Sequence, residues 1–285
     1  MKSPVLVLDC NYLCYVSYHV LGDLTFGGQG TGCVFGFLRQ VLQLAGKFGT
    51  KKFVFCWDHP HNLRREEYPG YKKSRRVEKS PEDEARDHEA RRQFRIVRTQ
   101  VLPELGFQNI FYEDGYEADD LIDAAVQTIS EYGDNVVFVS ADEDLYQLLG
   151  QADMYNLRSK KLLSGTWFEK EWGIPPGAWT EAKAIAGCPS DEVVGIRGVG
   201  LKTAISYLQG SLKSEAKNKL IRESSTIIER NRGLVALRGS DFVPLEMQEE
   251  IFSKKEFIKV FDRMDFRSFL TPDGFAKWIN LLGLR

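Results

Sequence analysis

Residues 115–149 read GYEADDLIDAAVQTISEYGDNVVFVSADEDLYQLL, and their pattern sets the fold. The order is helix, turn, strand, turn, helix. Acids crowd the start of the first helix (Glu117, Asp119, Asp120) and the end of the strand (Asp142, Glu143, Asp144). The strand, 136–139, is a continuous apolar run, as expected of a parallel strand covered on both faces. Helices leading into and out of such a strand build an α/β layer.

Two earlier runs share this form. Val5-Leu6-Val7-Leu8 ends in Asp9, and Phe53-Val54-Phe55-Cys56-Trp57 ends in Asp58. In an open parallel sheet the carboxyl ends of the strands lie along one edge, where ligands bind. Asp9, Asp58, Asp142 and Asp144 are therefore expected at one edge, joined by Glu117 and Asp119 from the helix entry. So many carboxylates stay ionised together only if cations offset their repulsion. All-oxygen donors suit magnesium or manganese better than zinc, and an acidic bed holding two such ions suits phosphodiester chemistry. Taken singly, each acid also has a plain structural reading, as a strand-end or first-turn residue. The convergence is what points to a metal site.

The 285 residues hold 38 Lys and Arg against 40 Asp and Glu, a formal net charge of −2. That average conceals segregation. Within residues 61–98, Arg64, Arg65, Lys72, Lys73, Arg75, Arg76 and Lys79 are interleaved with Tyr68 and Tyr71. This basic stretch reads as an insertion over the site whose cations neutralise phosphates and whose Tyr71 stacks on a base. Glu66, Glu67 and Glu78 leave open a solvated helix with i, i+4 pairs. Ser80-Pro81-Glu82-Asp83 is a helix start, and that helix is expected to reach about residue 105.

The remaining segments are less pointed. Five scattered cysteines without a C-x-x-C spacing read as reduced thiols of a cytoplasmic protein. The chain enters a strand at once, so no signal peptide is expected, and no apolar run reaches membrane-spanning length. Tyr12, Tyr15 and Tyr18 read as a core-packing stripe, and the glycine-rich 22–32 as a flexible loop lacking a P-loop ending. Residues 33–48 carry helical periodicity, 109–112 a short strand, and 154–163 a hairpin or a short strand. After a break at Pro175-Pro176-Gly177, a helix over 180–186 leads to a glycine-rich turn, 195–200, that opens another helix. The amides of Gly198 and Gly200, with Lys202 and Thr203, suit a phosphate held without reading base sequence. A tight structural turn is the alternative. The rest, to residue 285, reads as scaffold.

Taken in order, Asp9, Asp58, the YKKSR at 71–75, the EADD at 117–120, the SADED at 140–144 and the PSDEVVGIRGVGLKTA at 189–204 resemble the 5′-3′ exonuclease, or flap endonuclease, family of phages and bacteria, which includes the N-terminal nuclease domain of bacterial DNA polymerase I. The resemblance implies an α/β fold: a PIN-like parallel-sheet nuclease domain over 1–178, with a helical arch at about 61–100, and a helix–three-turn–helix DNA-binding domain over 179–285. It implies a first metal held by Asp9, Asp58, Glu117 and Asp119, and a second held by Asp142, Asp144 and Asp191, with Asp120 behind them. Lys72 and Arg75 would contact the scissile phosphate beside Tyr71, and cleavage would depend most on these two cations with Asp119 and Asp142. A potassium ion would rest on the carbonyls of Ile185, Ala186, Val194, Ile196 and Val199. The implied partner is DNA with a 5′ single-stranded flap or end, or an RNA–DNA hybrid, bound by a monomeric cytoplasmic protein with no membrane association. Cys188 departs from the pattern. It stands where the family usually has Asp, so the second site has one carboxylate fewer, and a flap-binding protein that does not cleave is the competing reading.

Overall fold

The computed structural model describes residues 3–76 and 80–285, except for the side chain of Arg76. The expected phosphate contacts of Arg76 and Lys79, and the pairing of Glu78, lie outside the described side chains. Six strands form one sheet: β1 (Val5–Asp9), β2 (Phe53–Cys56), β3 (Ile110–Phe111), β4 (Val136–Ser140), β5 (Asp153–Asn156) and β6 (Lys161–Leu163). Their spatial order is β3-β2-β1-β4-β5-β6. All neighbours are parallel except β5 and β6, an antiparallel hairpin, one of the two forms expected over 154–163.

The period-2 alternation of strands divides the core. Leu6, Leu8, Phe53, Phe55, Val137 and Val139 face one apolar layer; Val5, Val7, Val54, Cys56, Val136 and Phe138 face the other. The first layer is covered by α1 (Cys10–Leu21) and α2 (Gly32–Phe48), the second by α5 (Ala118–Glu131). In sequence, α3 (Leu63–Glu67) and α4 (Pro81–Ile96) come between α2 and α5, and α4 adds Ala90 and Phe94 to the first layer. The side chain of Ser80 caps α4 by accepting the Asp83 N–H at 3.1 Å, with Pro81 in the first turn. The helical run continues through a π-helical stretch, Val97–Val101, to Leu105.

Several local expectations need correction. The stretch after β4 is a short 3₁₀ helix, Glu143–Leu148, rather than an α-helix. On α1 the buried face is Cys10, Leu13, Cys14 and Ser17; Tyr15 is exposed and meets the edge of Phe94 at 4.8 Å. The 22–32 segment contains a two-residue hairpin, Thr25–Phe26 against Gln29–Gly30, turned by Gly27 and Gly28 at φ +58 and +77. The boundary at residue 178 does not divide the core either. Phe257, Phe261, Phe269 and Trp278 pack with Leu6, Val34, Phe37 and Val41, so the later helices close the first layer of the sheet.

Beyond the sheet come α6 (Trp179–Ala186), α7 (Leu201–Leu208) and α8 (Ser225–Val235). A two-residue hairpin, Gly187–Cys188 against Val193–Val194, links α6 to the glycine-rich turn. A Cβ on Gly187 would fall 2.4 Å from the Gly195 nitrogen, so the hairpin closes only with glycine there. Among the described residues no helix is long and apolar enough to cross a membrane.

Candidate metal centre and nucleic-acid interface

The carboxyl edge of the sheet gathers the acids. Asp9 caps α1, accepting the Tyr12 N–H at 3.0 Å, and its second oxygen accepts the Ser140 hydroxyl at 2.7 Å. Asp58 accepts the Ala118 N–H at 2.8 Å, and its own N–H donates to Asn11 at 3.1 Å. Asp142 caps the 3₁₀ helix, accepting the Asp144 N–H at 2.8 Å. Glu117 caps α5.

Mutual repulsion links these groups. Burial, then Asp58 and Asp142, push Asp9 up to about 7. Asp58 is raised by burial and by Glu117, and Asp119 by burial, Asp142 and Asp9. Burial and Asp144 raise Asp142; burial raises Asp191 despite Lys72, with Asp144 and Glu117 adding to the rise. Glu117 is the exception: burial would raise it, but Lys72 and Arg64 outweigh that and hold it at about 2. An all-oxygen set whose members resist ionising beside one another fits a hard divalent cation, which would lower every one of them together.

Protein cations lie against part of this set. The Lys72 ammonium sits 2.6 Å from Glu117 and 3.6 Å from Asp191, and Arg75 reaches Asp191 at 3.2 Å. Lys72 has left-handed backbone, φ +49, and its N–H donates to the Asp191 carbonyl at 2.9 Å. A non-glycine residue held in that region is a strained position of the kind found at functional sites. Tyr71 differs from the stacking expectation. It is 3% exposed, and its hydroxyl donates to Glu117 at 2.8 Å, so burial denies a base access to the ring. Arg64 also departs from the expected phosphate contact. It is buried and grips Asp120 through two hydrogen bonds, at 2.7 and 2.6 Å, while its Nη1 also lies 3.4 Å from Glu117.

The second group is smaller. Oxygens of Asp144 and Asp191 and the Cys188 sulfur lie within 4.8 Å of one another. The thiol is buried and donates to Asp144 at 3.4 Å, while Lys183 holds the other Asp144 oxygen at 2.8 Å. Burial and Asp144 push the thiol up to about 11. Sequence reasoning missed Lys183, as it missed Ser140 and Asn11, because nothing in the linear order pairs them with the acids. It also missed a stripe on one helix face. Arg91, Arg95 and Arg98, spaced by four and three residues, line a 650 Å³ cleft with Arg65 and Arg75, and Asp58 and Glu117 belong to the same lining.

In the glycine-rich turn, Gly198 takes φ +80, and Gly200 caps α7 without a side chain. Lys202 is exposed and Thr203 half-buried on the first turn of α7. Of the potassium carbonyls, Val194 already accepts Arg230 at 2.9 Å and Asn231 at 3.0 Å, which corrects its assignment as an ion ligand. The Ile185 and Ile196 carbonyls each accept one backbone N–H, from Ile196 and Val199.

One prediction follows from the buried acids. An acid with a raised folded pKa stabilises the fold below its unfolded value and loses that contribution as pH climbs through the folded one. With divalent ions chelated, the melting midpoint should fall between about pH 4 and about pH 7, the range spanned by Asp9. Added magnesium should raise the midpoint more at the upper end of that range than at the lower. Glu117 acts oppositely, losing its contribution only as pH drops through about 2. A metal-free midpoint that is flat or rising over this window would contradict the mutual repulsion.

A largely parallel sheet thus gathers a bed of acids along its carboxyl edge, with Lys72 and Arg75 laid against part of that bed. Residues 4–173 match the sequence profile described as 5′-3′ exonuclease, N-terminal resolvase-like domain, and the chain belongs to that family. It is 31% identical over 221 residues to the thermostable DNA polymerase I of Thermus thermophilus, which covers 76% of this chain and 25% of the polymerase. The chain thus spans about a quarter of the length of that curated relative. The T5 5′-exonuclease with bound zinc superposes with a TM-score of 0.69 at 20% identity, covering 82% of this chain and 89% of the other. A T5 flap endonuclease complex with DNA and metal ions gives 0.68 at 20% identity, with the same coverage of 82% and 89%.

Proposed function

We propose that the chain is a structure-specific 5′ nuclease that cleaves 5′ flaps or trims 5′ ends of DNA, RNA primers in RNA–DNA hybrids included. The observation carrying this reading is the gathering of Asp9, Asp58, Glu117, Asp119 and Asp142 at one sheet edge with Lys72 and Arg75 alongside. Asp9, Asp58, Glu117 and Asp119 would hold one magnesium or manganese ion, and Asp142, Asp144 and Asp191 a second. Ions bound there supply Lewis acidity and an activated water for phosphodiester hydrolysis. The protein's own groups do the rest. Lys72 and Arg75 direct positive charge to where the transition state gathers negative charge. Tyr71 holds Glu117 in place. Arg91, Arg95 and Arg98 offer a basic wall to the 5′ strand, and the amides of Gly198 and Gly200, with Lys202 and Thr203, grip a duplex phosphate without base preference. Ile185, Ala186, Ile196 and Val199 remain as carbonyls for a potassium ion in that turn. We place the nuclease layer in residues 1–178 and the DNA grip in 179–285, whose later helices also complete the nuclease layer. The T5 flap endonuclease solved with DNA and metal ions supports the choice of substrate.

The test is cleavage of a 5′-flapped duplex in magnesium and in manganese, with strand polarity read from end-labelled products. A salt titration checks the basic wall. Binding to the flapped duplex in calcium should weaken at least tenfold between about 50 mM and 200 mM salt. A flat response would remove phosphate neutralisation as the basis of affinity.

A second reading has its own observation. Cys188 and the Lys183 ammonium both contact Asp144, where the second ion would need open oxygens. They favour a flap-binding protein that holds the second ion weakly and does not cleave. Tight flap binding with no product in magnesium, manganese or cobalt would select it.

A further inference from the structure

Beside the carboxylate cluster, but with different chemistry, the loop after β2 meets the loop before α5. The Nδ1 atoms of His59 and His61 each lie 3.0 Å from one oxygen of Asp114. The backbone N–H of His61 donates to His59 Nδ1 at 3.2 Å, so that nitrogen carries a lone pair. His61 Nε2 lies 2.8 Å from Glu66 and its Nδ1 3.0 Å from Asp114, so without a metal ion a carboxylate accepts at each ring nitrogen. Three potential metal donors, the Nδ1 atom of each imidazole and one carboxylate oxygen, thus lie within 4.8 Å of one another. A metal ion among them would take the place of the His61 Nδ1 proton.

We propose that His59, His61 and Asp114 form a site for a borderline transition-metal ion of the zinc, cobalt or nickel class, separate from the carboxylate cluster. Two imidazoles and one carboxylate select such an ion over magnesium, which prefers oxygen alone. Donors around tetrahedral zinc sit about 3.4 Å apart. The two 3.0 Å contacts to Asp114 need to open by a few tenths of an ångström, and the two Nδ1 atoms lie within 4.8 Å of each other. Glu66 completes the arrangement, since ligating histidines characteristically donate their other ring N–H to a carboxylate. The loops are already aligned without the ion: the His59 N–H donates to the Tyr116 carbonyl at 3.1 Å, and the Leu63 N–H to the Gly115 carbonyl at 3.0 Å. Asp58 and Glu117 flank the site in sequence, so an ion here ties together the two loops that present them. The site does not depend on the nuclease reading, because its donors are not those of the acidic cluster.

The experiment is a zinc titration of the full chain in saturating magnesium at about pH 7.5, followed by imidazole ¹H–¹⁵N NMR. The chain has four histidines, so His59 and His61 can be read against His19 and His88. One equivalent of zinc should move the His59 and His61 resonances and leave the other two in place. H61A and D114N should each weaken zinc binding at least about tenfold. The side chains of His61 and Asp114 are 40% and 75% exposed, so both variants should keep the parent's circular dichroism. Two results would overturn the proposal. In one, zinc affinity survives H61A and is lost in D142N, which places the ion in the carboxylate cluster. In the other, His61 stays an imidazolium between Glu66 and Asp114, and zinc moves neither resonance.

Discussion

Replacing Asp142 with Asn is expected to reduce divalent-dependent cleavage of a 5′-flapped duplex by on the order of 10³-fold, about 4 kcal/mol of transition-state stabilisation. The side chain keeps its size, and an amide oxygen can still accept the Asp144 N–H that Asp142 now accepts at 2.8 Å. The change removes charge and little else. Binding to the flap in calcium should stay within a few-fold of the parent, since the basic wall and the glycine-rich turn are untouched. The metal-free variant should also melt at a higher temperature than the parent, because one of the mutually repelling carboxylates is gone. Asp119→Asn should behave the same way, its carboxyl being raised by burial and by Asp142. The measurements are single-turnover cleavage, calcium-supported binding and a melting curve. Asn variants that cut as fast as the parent would remove the acidic cluster from the chemistry.

The largest effect on stability is expected from Arg64→Ala. Asp120 is fully buried, and Arg64 meets both of its oxygens while also donating to the Ala236 carbonyl at 2.7 Å. Truncating one partner of a buried ion pair strands the other, which costs roughly 3–5 kcal/mol. Asp120 would keep only the N–H groups of Glu117 and Arg238, at 3.1 and 3.0 Å. Arg64→Lys should recover a minor part of the loss, because an ammonium cannot reproduce the planar two-pronged contact. Denaturant unfolding with divalent ions chelated measures both. If Arg64→Ala shifts stability by less than about 1 kcal/mol, the pair is not a structural anchor.

The sheet was legible because its strands obey a short-range rule: an apolar run, then an acid. β1, β2 and β4 all follow it, and Asp9, Asp58 and Asp142 therefore arrive at one edge. The helix from Ser80 was legible for the same reason, since its cap is written in four consecutive residues. What escaped depends on distant partners. Tyr71 looked like a stacking platform because a linear reading could not see Glu117 waiting for its hydroxyl. Arg64 looked like a phosphate contact because Asp120 lies far along the chain. The Val194 carbonyl looked available until α8 brought Arg230 and Asn231 to it. Lys183 gave no signal at all. In each case a local motif was read correctly as polar, but its partner was set by tertiary packing.

The layer beneath α2 is sealed by Phe257, Phe261 and Trp278, residues translated long after the strands they cover. During synthesis, Phe37 and Val41 must wait, solvated or chaperoned, while more than two hundred further codons are read. The layer of the sheet under α2 is therefore expected to consolidate late rather than as it emerges from the ribosome, only after Phe257, Phe261 and Trp278 have returned to it.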